Sequence, residues 1–553
     1  MKKIIAGFFL IGASLGFTSC NDYLDMTPTN SVSDKGVWTS ITTAEYAVNY
    51  IYSYVYDVAA NQCVAGLTEA LTDQMKYGSY NYNALCFIPS EIAYGGSTLT
   101  ASYIDVYLGY WSTQYTAIRR TNEGLYSLHK YGTLSPEEVT RLEAEMRFIR
   151  GYLYFDLMKR YKEVIIYDED MTSITENKAL STEEEGWNFV EADLKYAASN
   201  LPAKENANGR ANRGMAYAFL TRAMLYAERW DVVKSAAEEV EKLGYTLENN
   251  YADACMKEIK DGNNEAILQY VFSIEQDVTH SFDYYYTPGG DYTLNGQSGG
   301  GFGTPTQEMV ESYEYADGSG LPDWSAWHEE GVAQAPPYDK LEPRFQATIL
   351  YNGAPWKGRT VETYVGGSDG FCIWNKEQEP KGRTTTGYYL RKLVDETHDV
   401  IALTDSKQPY TIIRYGEVLL NKAEACYRLN DAAGANAAIK AIRGRVGLSY
   451  SDKSGSNLWT AIRQERKVEL AYEGLWYWDL RRWKDAAKQY PEGLNGYQVH
   501  GLKIEKQANG DFTYTYVSVD DKDRTYPEKM YRFPLPTSEL SSNALVTQYP
   551  EWK

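Results

Sequence analysis

One short motif has the spacing of a catalytic nucleophile. The run GQSGG at residues 296–300 matches G-x-S-x-G, in which a hydrolase places its serine on a sharp turn directly before a helix. Here further glycines follow Ser298, and each opposes helix formation by about 1 kcal/mol. The sequence instead predicts that the next helix starts at Thr304, with Pro305 first in it and Gln307 completing a capping box. We therefore interpret the motif as part of a loop.

Other residue types that act in catalysis or metal binding lack the required spacing. The five histidines form no HExxH motif. The run DDKD at residues 520–523 has carboxylates for calcium but not the spacing of a known calcium loop, so we interpret it as a solvated turn. The sequence therefore predicts neither a metal nor a cofactor. A glycosidase carboxylate pair stays open, because the spacing of 75 acidic residues does not reveal their geometry.

Aromatic residues are the unusual feature of the composition, with 50 tyrosines, 13 tryptophans and 15 phenylalanines. Flat rings pack helices together, and they also stack on the apolar faces of sugar rings. Two clusters lie among turn-forming residues, where burial is less automatic than on a helix face. One cluster is KYGSYNYN at residues 76–83, and the other spans residues 284–292 with two tryptophans after it. The candidate ligand-binding residues are Tyr80, Tyr82, Tyr284, Tyr285, Trp324 and Trp327.

The first twenty residues have the pattern of an export segment. Two lysines precede the uncharged apolar residues 4–17, which fit a signal peptide and are too few to span a bilayer. Thr18 and Ser19 then precede Cys20, and this resembles a bacterial lipobox, although Phe17 stands where leucine is commonest. We predict a signal peptide over residues 1–19 and a lipid anchor on Cys20; the alternative is secretion with a free cysteine. The net charge of −20 opposes nucleic-acid binding.

Helices dominate the predicted elements. Helical patterns cover residues 42–58, 102–128 and 187–199, and Ser135 with Pro136 marks the start of another long helix. Residues 212–244 and 412–444 are similar at an offset of 200, and each reads as helix, turn, helix. This resembles the tetratricopeptide pattern, whose hairpins stack to bury their apolar faces. Residues 147–161 resemble part of a further copy.

Between the two copies the sequence is rich in glycine, tyrosine and turn residues. Short strands are predicted at residues 265–272 and 344–351, and residues 288–303 form a long loop. The predicted fold class is therefore mostly α: a tetratricopeptide-like scaffold of helical hairpins with a large, irregular, loop-rich insertion that has minor β structure. Ion pairing along one helix is predicted from the spacing of Arg466, Glu469 and Glu473. Core packing is predicted for the nearby tryptophans Trp476, Trp478 and Trp483.

Several ordered segments resemble the SusD/RagB family of surface nutrient-binding lipoproteins. The segment NDYLDMTP, directly after the predicted anchor, is similar to the acidic-aromatic start of the mature family members. PTQEMVESYEYADG, LEPRFQATILYNG and GYYLRKLVD follow in the family's order, with Glu342 where an aspartate is usual. The most specific segment is IRQERKVELAYEGLWYWDLRRWK at residues 462–484, and FPLPTSELSSNALVTQYPEW resembles the family's end.

The resemblance implies a SusD-like protein that binds an oligosaccharide or polysaccharide at the outer membrane for a SusC-like TonB-dependent transporter. The helical repeats would dock the transporter, and loops from both halves would hold the ligand. Oligopeptide capture is the alternative ligand class, and a surface glycoside hydrolase is the alternative from another class. We expect one integrated fold with an N-terminal part at residues 20–260 and a C-terminal part at 261–553. The latter comprises an irregular region, 261–407, and closing helices, 410–485.

Overall fold

The computed structural model describes residues 34–64, 68–77, 91–96, 99–170, 176–203, 209–373 and 382–553. Most of the regular structure is helical. The N-terminal helices are Asp34–Val37, Ile41–Val64, Ala101–Ile104, Trp111–Tyr131, Pro136–Tyr161, Glu183–Asn200, Arg213–Tyr226, Trp230–Lys242 and Asp253–Met256. The later helices are Phe282–Tyr286, Gly290–Thr293, Gln307–Val310, Pro343–Thr348, Tyr415–Arg428, Ala432–Arg445, Gly455–Glu469, Trp476–Arg482 and Thr537–Ser542. None of the helices in these ranges is long and apolar enough to cross a membrane.

The strands are short and pair two by two in antiparallel sheets. They are Met75–Tyr77 with Gly303–Pro305, Ala266–Tyr270 with Tyr410–Arg414, Ile349–Leu350 with Tyr389–Leu390, Pro355–Trp356 with Arg359–Thr360, and His500–Lys506 with Phe512–Ser518. The first two pairs join segments more than 100 residues apart in sequence. The mostly α fold with minor β structure is confirmed.

The two repeats fold as predicted into matching helical hairpins. The first hairpin comprises Arg213–Tyr226 and Trp230–Lys242, and the second comprises Tyr415–Arg428 and Ala432–Arg445. They pack on each other through equivalent positions, because Asn421 Nδ2 donates a hydrogen bond of 3.0 Å to Thr221 Oγ1. Lys234 of the first hairpin also forms an ion pair of 2.9 Å with Asp431 of the second. The stacking that the 200-residue offset predicts is therefore confirmed.

The predicted helix starts are correct where local capping chemistry decides them. Ser135 forms a capping box with Glu138, and Pro136 is the first residue of the helix Pro136–Tyr161. The helical pattern over residues 102–128 is in fact interrupted by a π-helical turn, Asp105–Gly109, and by Tyr110 with a φ of 63°. A left-handed residue cannot continue a right-handed helix, so a new helix begins at Trp111.

Two expectations for the middle of the chain are wrong. Residues 344–351 are mainly the helix Pro343–Thr348, because Pro343 favours the first helical position, and only Ile349–Leu350 is a strand. The helix expected at Thr304 begins at Gln307 after Thr306 as N-cap, since Gly303–Pro305 pairs as a strand. By contrast, the strand predicted at residues 265–272 is present as Ala266–Tyr270. The loop predicted at residues 288–303 also contains the helical turn Gly290–Thr293.

The pairing predicted along the helix Gly455–Glu469 is wrong in its partners. Arg466 forms an ion pair of 2.9 Å with Asp479 rather than with Glu469. Glu469 instead meets Arg344 and Arg414, which come from distant segments. The tryptophan prediction is confirmed for Trp476 and Trp478, which are buried in the largest core cluster, and Trp483 packs against that cluster.

Candidate ligand-binding site

The structure brings the bases of the two predicted tyrosine clusters together. The strand Met75–Tyr77, at the beginning of the first cluster, pairs with Gly303–Pro305, where the long loop ends. The rings of Tyr77 and Tyr285 both pack on Phe302, with ring-centroid distances of 5.3 and 5.2 Å. Tyr80 and Tyr82 lie outside the described residues, as does Cys20. The strand end at Tyr77 therefore lies close to Tyr285.

Tyr284 and Tyr285 are half-buried neighbours in the short helix Phe282–Tyr286. Their rings meet edge to face with centroids 5.1 Å apart. Tyr292 is buried beneath them and donates a hydrogen bond of 3.0 Å from its hydroxyl to the Tyr284 carbonyl. Burial raises the pKa of Tyr292, so this hydroxyl stays a donor at neutral pH. We call the half-exposed pair, Tyr284 and Tyr285, the tyrosine surface.

Trp324 and Trp327 do not present exposed rings. Each is 5% exposed and belongs to the second core cluster, and their rings pack edge to face at 5.5 Å. Trp327 Nε1 donates to the Gln334 carbonyl at 2.9 Å. The expectation that turn-rich surroundings leave these two rings accessible is wrong, because the chain around them folds over a core of its own. Their position favours a packing role over ligand contact.

A polar cavity of about 420 Å³ lies beside the same long loop, with Asp291, Asn295, Lys357, Arg359 and His398 in its wall. The Asp291 carboxylate in this wall accepts hydrogen bonds from Trp356 Nε1 at 3.0 Å and Arg359 Nη2 at 2.7 Å. Burial alone would raise the pKa of Asp291, but a hydrogen bond from Thr287 and the charges of Lys357 and Arg359 lower it. The cavity therefore offers a fixed set of charged donors and acceptors.

The geometry around Ser298 does not match a nucleophile elbow. Ser298 is exposed and is followed by a strand at Gly303–Pro305, so it lacks the turn into a helix that a nucleophile elbow needs. Among the described residues, no group of three histidine, cysteine or acidic side chains is arranged to hold a metal. The prediction of a solvated turn at residues 520–523 is wrong at Asp520. Its carboxylate is buried and forms ion pairs with Lys76 at 2.8 Å and with Arg524 at 2.7 Å.

Sequence reasoning missed a stacked aromatic column beside the second core. The Tyr516 ring lies between His328 and His500, with centroid distances of 4.3 Å to each. His328 contacts Glu311 at 2.7 Å, and His500 contacts Glu308 at 2.6 Å. The two histidines are far apart in sequence and in different elements, so no local pattern could have indicated the stack.

Comparison with known proteins agrees with this architecture. Residues 264–552 match the family model described as the SusD family, and residues 22–225 match a model described as starch-binding associating with outer membrane. The chain belongs to the SusD family. The SusD resemblance of its sequence is thus confirmed over nearly its whole length.

Individual relatives extend this result. A SusD-like protein of Bacteroides ovatus is 22% identical, over 97% of this chain and 94% of the relative. The structure of a SusD-like protein from Bacteroides fragilis is 27% identical, with a TM-score of 0.77, over 95% of this chain and 99% of that one. A SusD-like carbohydrate binding protein from the same species is 22% identical, with a TM-score of 0.73, over 92% of this chain and all of the other. The last two share the SusD fold described above.

Proposed function

We propose that this SusD-family protein captures an oligosaccharide at the outer membrane and transfers it to a transporter without breaking a bond. The observation that carries the proposal is the tyrosine surface, two half-exposed rings set on buried Tyr292 and Phe302. Rings fixed in this way lose little side-chain freedom when a sugar stacks on them. The family relationship supports a binding role, and a similar fold is named as carbohydrate binding.

The energetics of such a surface favour weak capture. Covering roughly 60–80 Å² of an apolar sugar face gives about 1.5–2 kcal/mol per ring. Two rings with a few hydrogen bonds, less the cost of ordering the ligand, lead to dissociation constants of about 10 μM to 1 mM. The polar cavity adds donors and acceptors for hydroxyl groups through Asp291, Asn295 and Arg359. Weak binding suits a protein that must release its ligand again.

The proposal extends to attachment and partner. An acylated Cys20 would anchor the chain in the outer membrane, with the ligand surface directed away from the cell. The stacked hairpins would supply a rigid face for a SusC-like TonB-dependent transporter. Co-purification from outer membranes tests both points: the full-length protein should bring a transporter of this class with it. A Cys20→Ala variant should appear in the soluble fraction, and its retention in the membrane would contradict the anchor.

The binding test compares matched tyrosine variants on an array of oligosaccharides, followed by calorimetry with the best ligand. Tyr284→Ala and Tyr285→Ala should each weaken binding about 10-fold, which is the loss of one stacked ring. Tyr217→Ala is the control, since Tyr217 is a half-buried tyrosine on the first hairpin and should leave binding unchanged. If the protein bound peptides and no glycan, the ligand class would be oligopeptide instead of oligosaccharide. If the protein shortened the glycan, and substitution of one carboxylate abolished that shortening, the protein would be a glycoside hydrolase.

A further inference from the structure

A second cavity, of about 500 Å³, lies among the N-terminal helices and the helix Trp476–Arg482. Its volume is in the range of small-molecule sites. It shares no lining residue with the polar cavity and contains neither residue of the tyrosine surface. We call it the basic cavity, after its lining residues Lys159, Lys162, Arg229, Arg481, Arg482 and Lys484.

The charges of the basic cavity are unevenly placed. Six basic residues line it against three acidic ones, in a chain whose net charge is −20. The acidic residues, Glu183, Glu184 and Glu228, are all exposed. Arg481, in contrast, is only 4% exposed. One positive charge, that of Arg481, therefore lies deep in the cavity, where the dielectric is lower and its effect on a ligand is stronger, while Lys484 is exposed.

Arg481 is a buried cation that no carboxylate neutralises within the described part of the chain. Its guanidinium donates to the carbonyls of Met530, at 2.5 Å, and Tyr531, at 3.4 Å, and lies over the Phe533 ring at 4.3 Å from its centroid, so its partners are neutral groups. The neighbouring Arg482 has the usual arrangement, since it pairs with Glu424 at 2.7 Å. Charged side chains are rarely buried without a partner, because desolvation costs several kcal/mol. The structure thus leaves one deep positive charge without a counter-charge.

Two lysines add to this surplus at the same cavity. The Lys484 ammonium lies 4.6 Å from the centre of the Tyr531 ring. Desolvation and repulsion by the Lys162 ammonium lower the pKa of Lys484 to about 8. Among the side chains that the structure describes, the carboxylate paired with Lys162 is that of Glu183, at 3.8 Å. Both lysines have positive φ, 64° and 61°, which costs energy for residues with a side chain. The fold therefore holds two ammonium groups together in spite of their repulsion.

Aromatic rings complete the wall. Tyr226 and Tyr531 are half-buried and offer ring surface to a ligand, whereas Trp187 and Trp478, 6% and 3% exposed, serve mainly as packing for the wall. We propose that the basic cavity binds an anionic ligand of one or two sugar rings, with its carboxylate or sulfate group held by Arg481, Lys162 and Lys484. The body of the ligand packs on the half-buried rings of Tyr226 and Tyr531. This site is separate from the proposed oligosaccharide surface and does not depend on it.

A purely structural explanation makes a different prediction. The helices Pro136–Tyr161 and Trp476–Arg482 both end near these cations, and positive side chains stabilise helix C-termini. If that were their whole role, the cavity would not bind anions at all.

Calorimetric titration of the full chain distinguishes the two explanations, with glucuronic acid, glucose 6-sulfate, inorganic sulfate and neutral glucose as probes. We expect the two acidic sugars to bind with dissociation constants of about 0.1–1 mM in dilute salt, and the tighter of them identifies the anionic group. Binding should weaken several-fold at high salt, and glucose should not bind. No binding of acidic sugars at 20 mM, or equal binding of glucose, would overturn the proposal. Sulfate alone binding as tightly as the acidic sugars would also overturn it, because the rings would contribute nothing.

Charge-removing variants locate the site. Lys162→Gln and Lys484→Gln should each weaken binding at least 5-fold, whereas Lys488→Gln should have no effect. Lys488 is a matched control, an exposed lysine that pairs with Asp485 and does not line the cavity. Arg481→Gln should abolish binding; if it fails to fold, the double variant of the two lysines gives the same test. Tyr284→Ala should leave anion binding unchanged, so this proposal and the proposed function can fail independently.

Discussion

Three arginines converge on the carboxylate of Glu469 inside the protein. Arg344 approaches it at 3.1 Å and Arg414 at 2.7 Å, and Arg445 also forms an ion pair with it. Burial alone would raise the pKa of Glu469, but the charges of Arg445, Arg414 and Arg344 lower it far below its usual range. The segment that most resembles the SusD family thus serves to join distant parts of the chain.

Replacing Glu469 with glutamine should be strongly destabilising. The change leaves buried arginine charges without their shared partner, which costs about 3–5 kcal/mol of unfolding free energy. Urea denaturation at pH 7 measures this loss, with Glu505→Gln as the control because Glu505 is exposed and pairs only with Lys503. A loss below about 1 kcal/mol, similar to that of a surface pair, would show that the network does not act as we describe.

The same residue has a defined effect on acid stability. A carboxyl group whose pKa is depressed on folding stabilises the protein above its unfolded pKa, about 4.3, and this stability is lost as the pH falls toward the folded pKa. The difference in stability between the parent protein and Glu469→Gln should therefore be constant from pH 8 to about 5 and shrink below pH 4. Denaturation curves across this range give the comparison. A difference that instead grew on acidification would contradict the depressed pKa of Glu469.

Glu69 shows the opposite case. Its carboxylate is buried with one oxygen unpartnered, and the other accepts a hydrogen bond from the Gly474 amide at 2.6 Å. Desolvation raises the pKa of Glu69 from 4.5 to about 7, so its contribution to stability is fully present below pH 4.5 and is lost as the pH rises through 7.

Glu69→Gln should therefore be nearly neutral at pH 5 but stabilising by roughly 2–3 kcal/mol at pH 8, where the charge no longer has to be buried. Thermal and urea unfolding at the two pH values measure this, and the exposed Glu330→Gln gives the baseline. Equal effects at both pH values would rule out the raised pKa.

Turn and helix geometry can be tested with a matched pair of glycines. Gly474 has a φ of 74°, and it separates the helix Gly455–Glu469 from Trp476–Arg482. Gly444 lies inside the helix Ala432–Arg445, and neither glycine has an atom within 4 Å of an added Cβ. Gly474→Ala should destabilise the protein by about 1–2 kcal/mol through backbone strain, and Gly444→Ala should stabilise it by about 0.5–1 kcal/mol. Because space is not a factor, changes of the same sign on chemical denaturation would refute the backbone explanation.

Local rules predicted those elements that local chemistry decides. Ser135 and Pro136 give a helix start that needs no distant partner, and the 200-residue offset indicates two hairpins because each buries its own small residues. Arg344 shows the limit. Its segment has a strand-like pattern, but Pro343 and the pairing of Arg344 with Glu465 and Glu469, more than 100 positions away, favour a helix. Rules that use one sequence relate only neighbouring residues, so they cannot predict ion pairs between residues this far apart in the chain.

The candidate site divides in the same way. Composition indicated the tyrosines, and Tyr284 and Tyr285 are half-exposed as a surface requires. Trp324 and Trp327 had the same turn-rich surroundings, but they lie in a second core that could not be recognised without knowing which segments pack together. The Asp291–Arg359 contact joins residues 68 positions apart, so the polar cavity gave no local pattern either.

The largest core contains residues from both halves of the chain. The hydrophobic cluster of the N-terminal helices includes Trp478 and Phe533, and the Phe533 amide donates to the Arg160 carbonyl at 3.0 Å. Buried Lys76 pairs with Asp520 at 2.8 Å, across more than 400 residues of sequence. Each half would expose a large apolar face without the other, as a lone hairpin does in a stacked repeat.

This shared core predicts that the two halves do not fold alone. Expressed separately, residues 34–260 and 261–553 should each lack a cooperative unfolding transition and the near-ultraviolet circular dichroism of packed aromatic rings. Co-expression should restore both properties, because the strand Met75–Tyr77, the hairpin contact between Thr221 and Asn421, and the Lys76–Asp520 pair then regain their partners. The control is the full chain purified in the same way. An N-terminal fragment that melts cooperatively alone would show instead that the helical scaffold is an independent domain, with the C-terminal part as an addition to it.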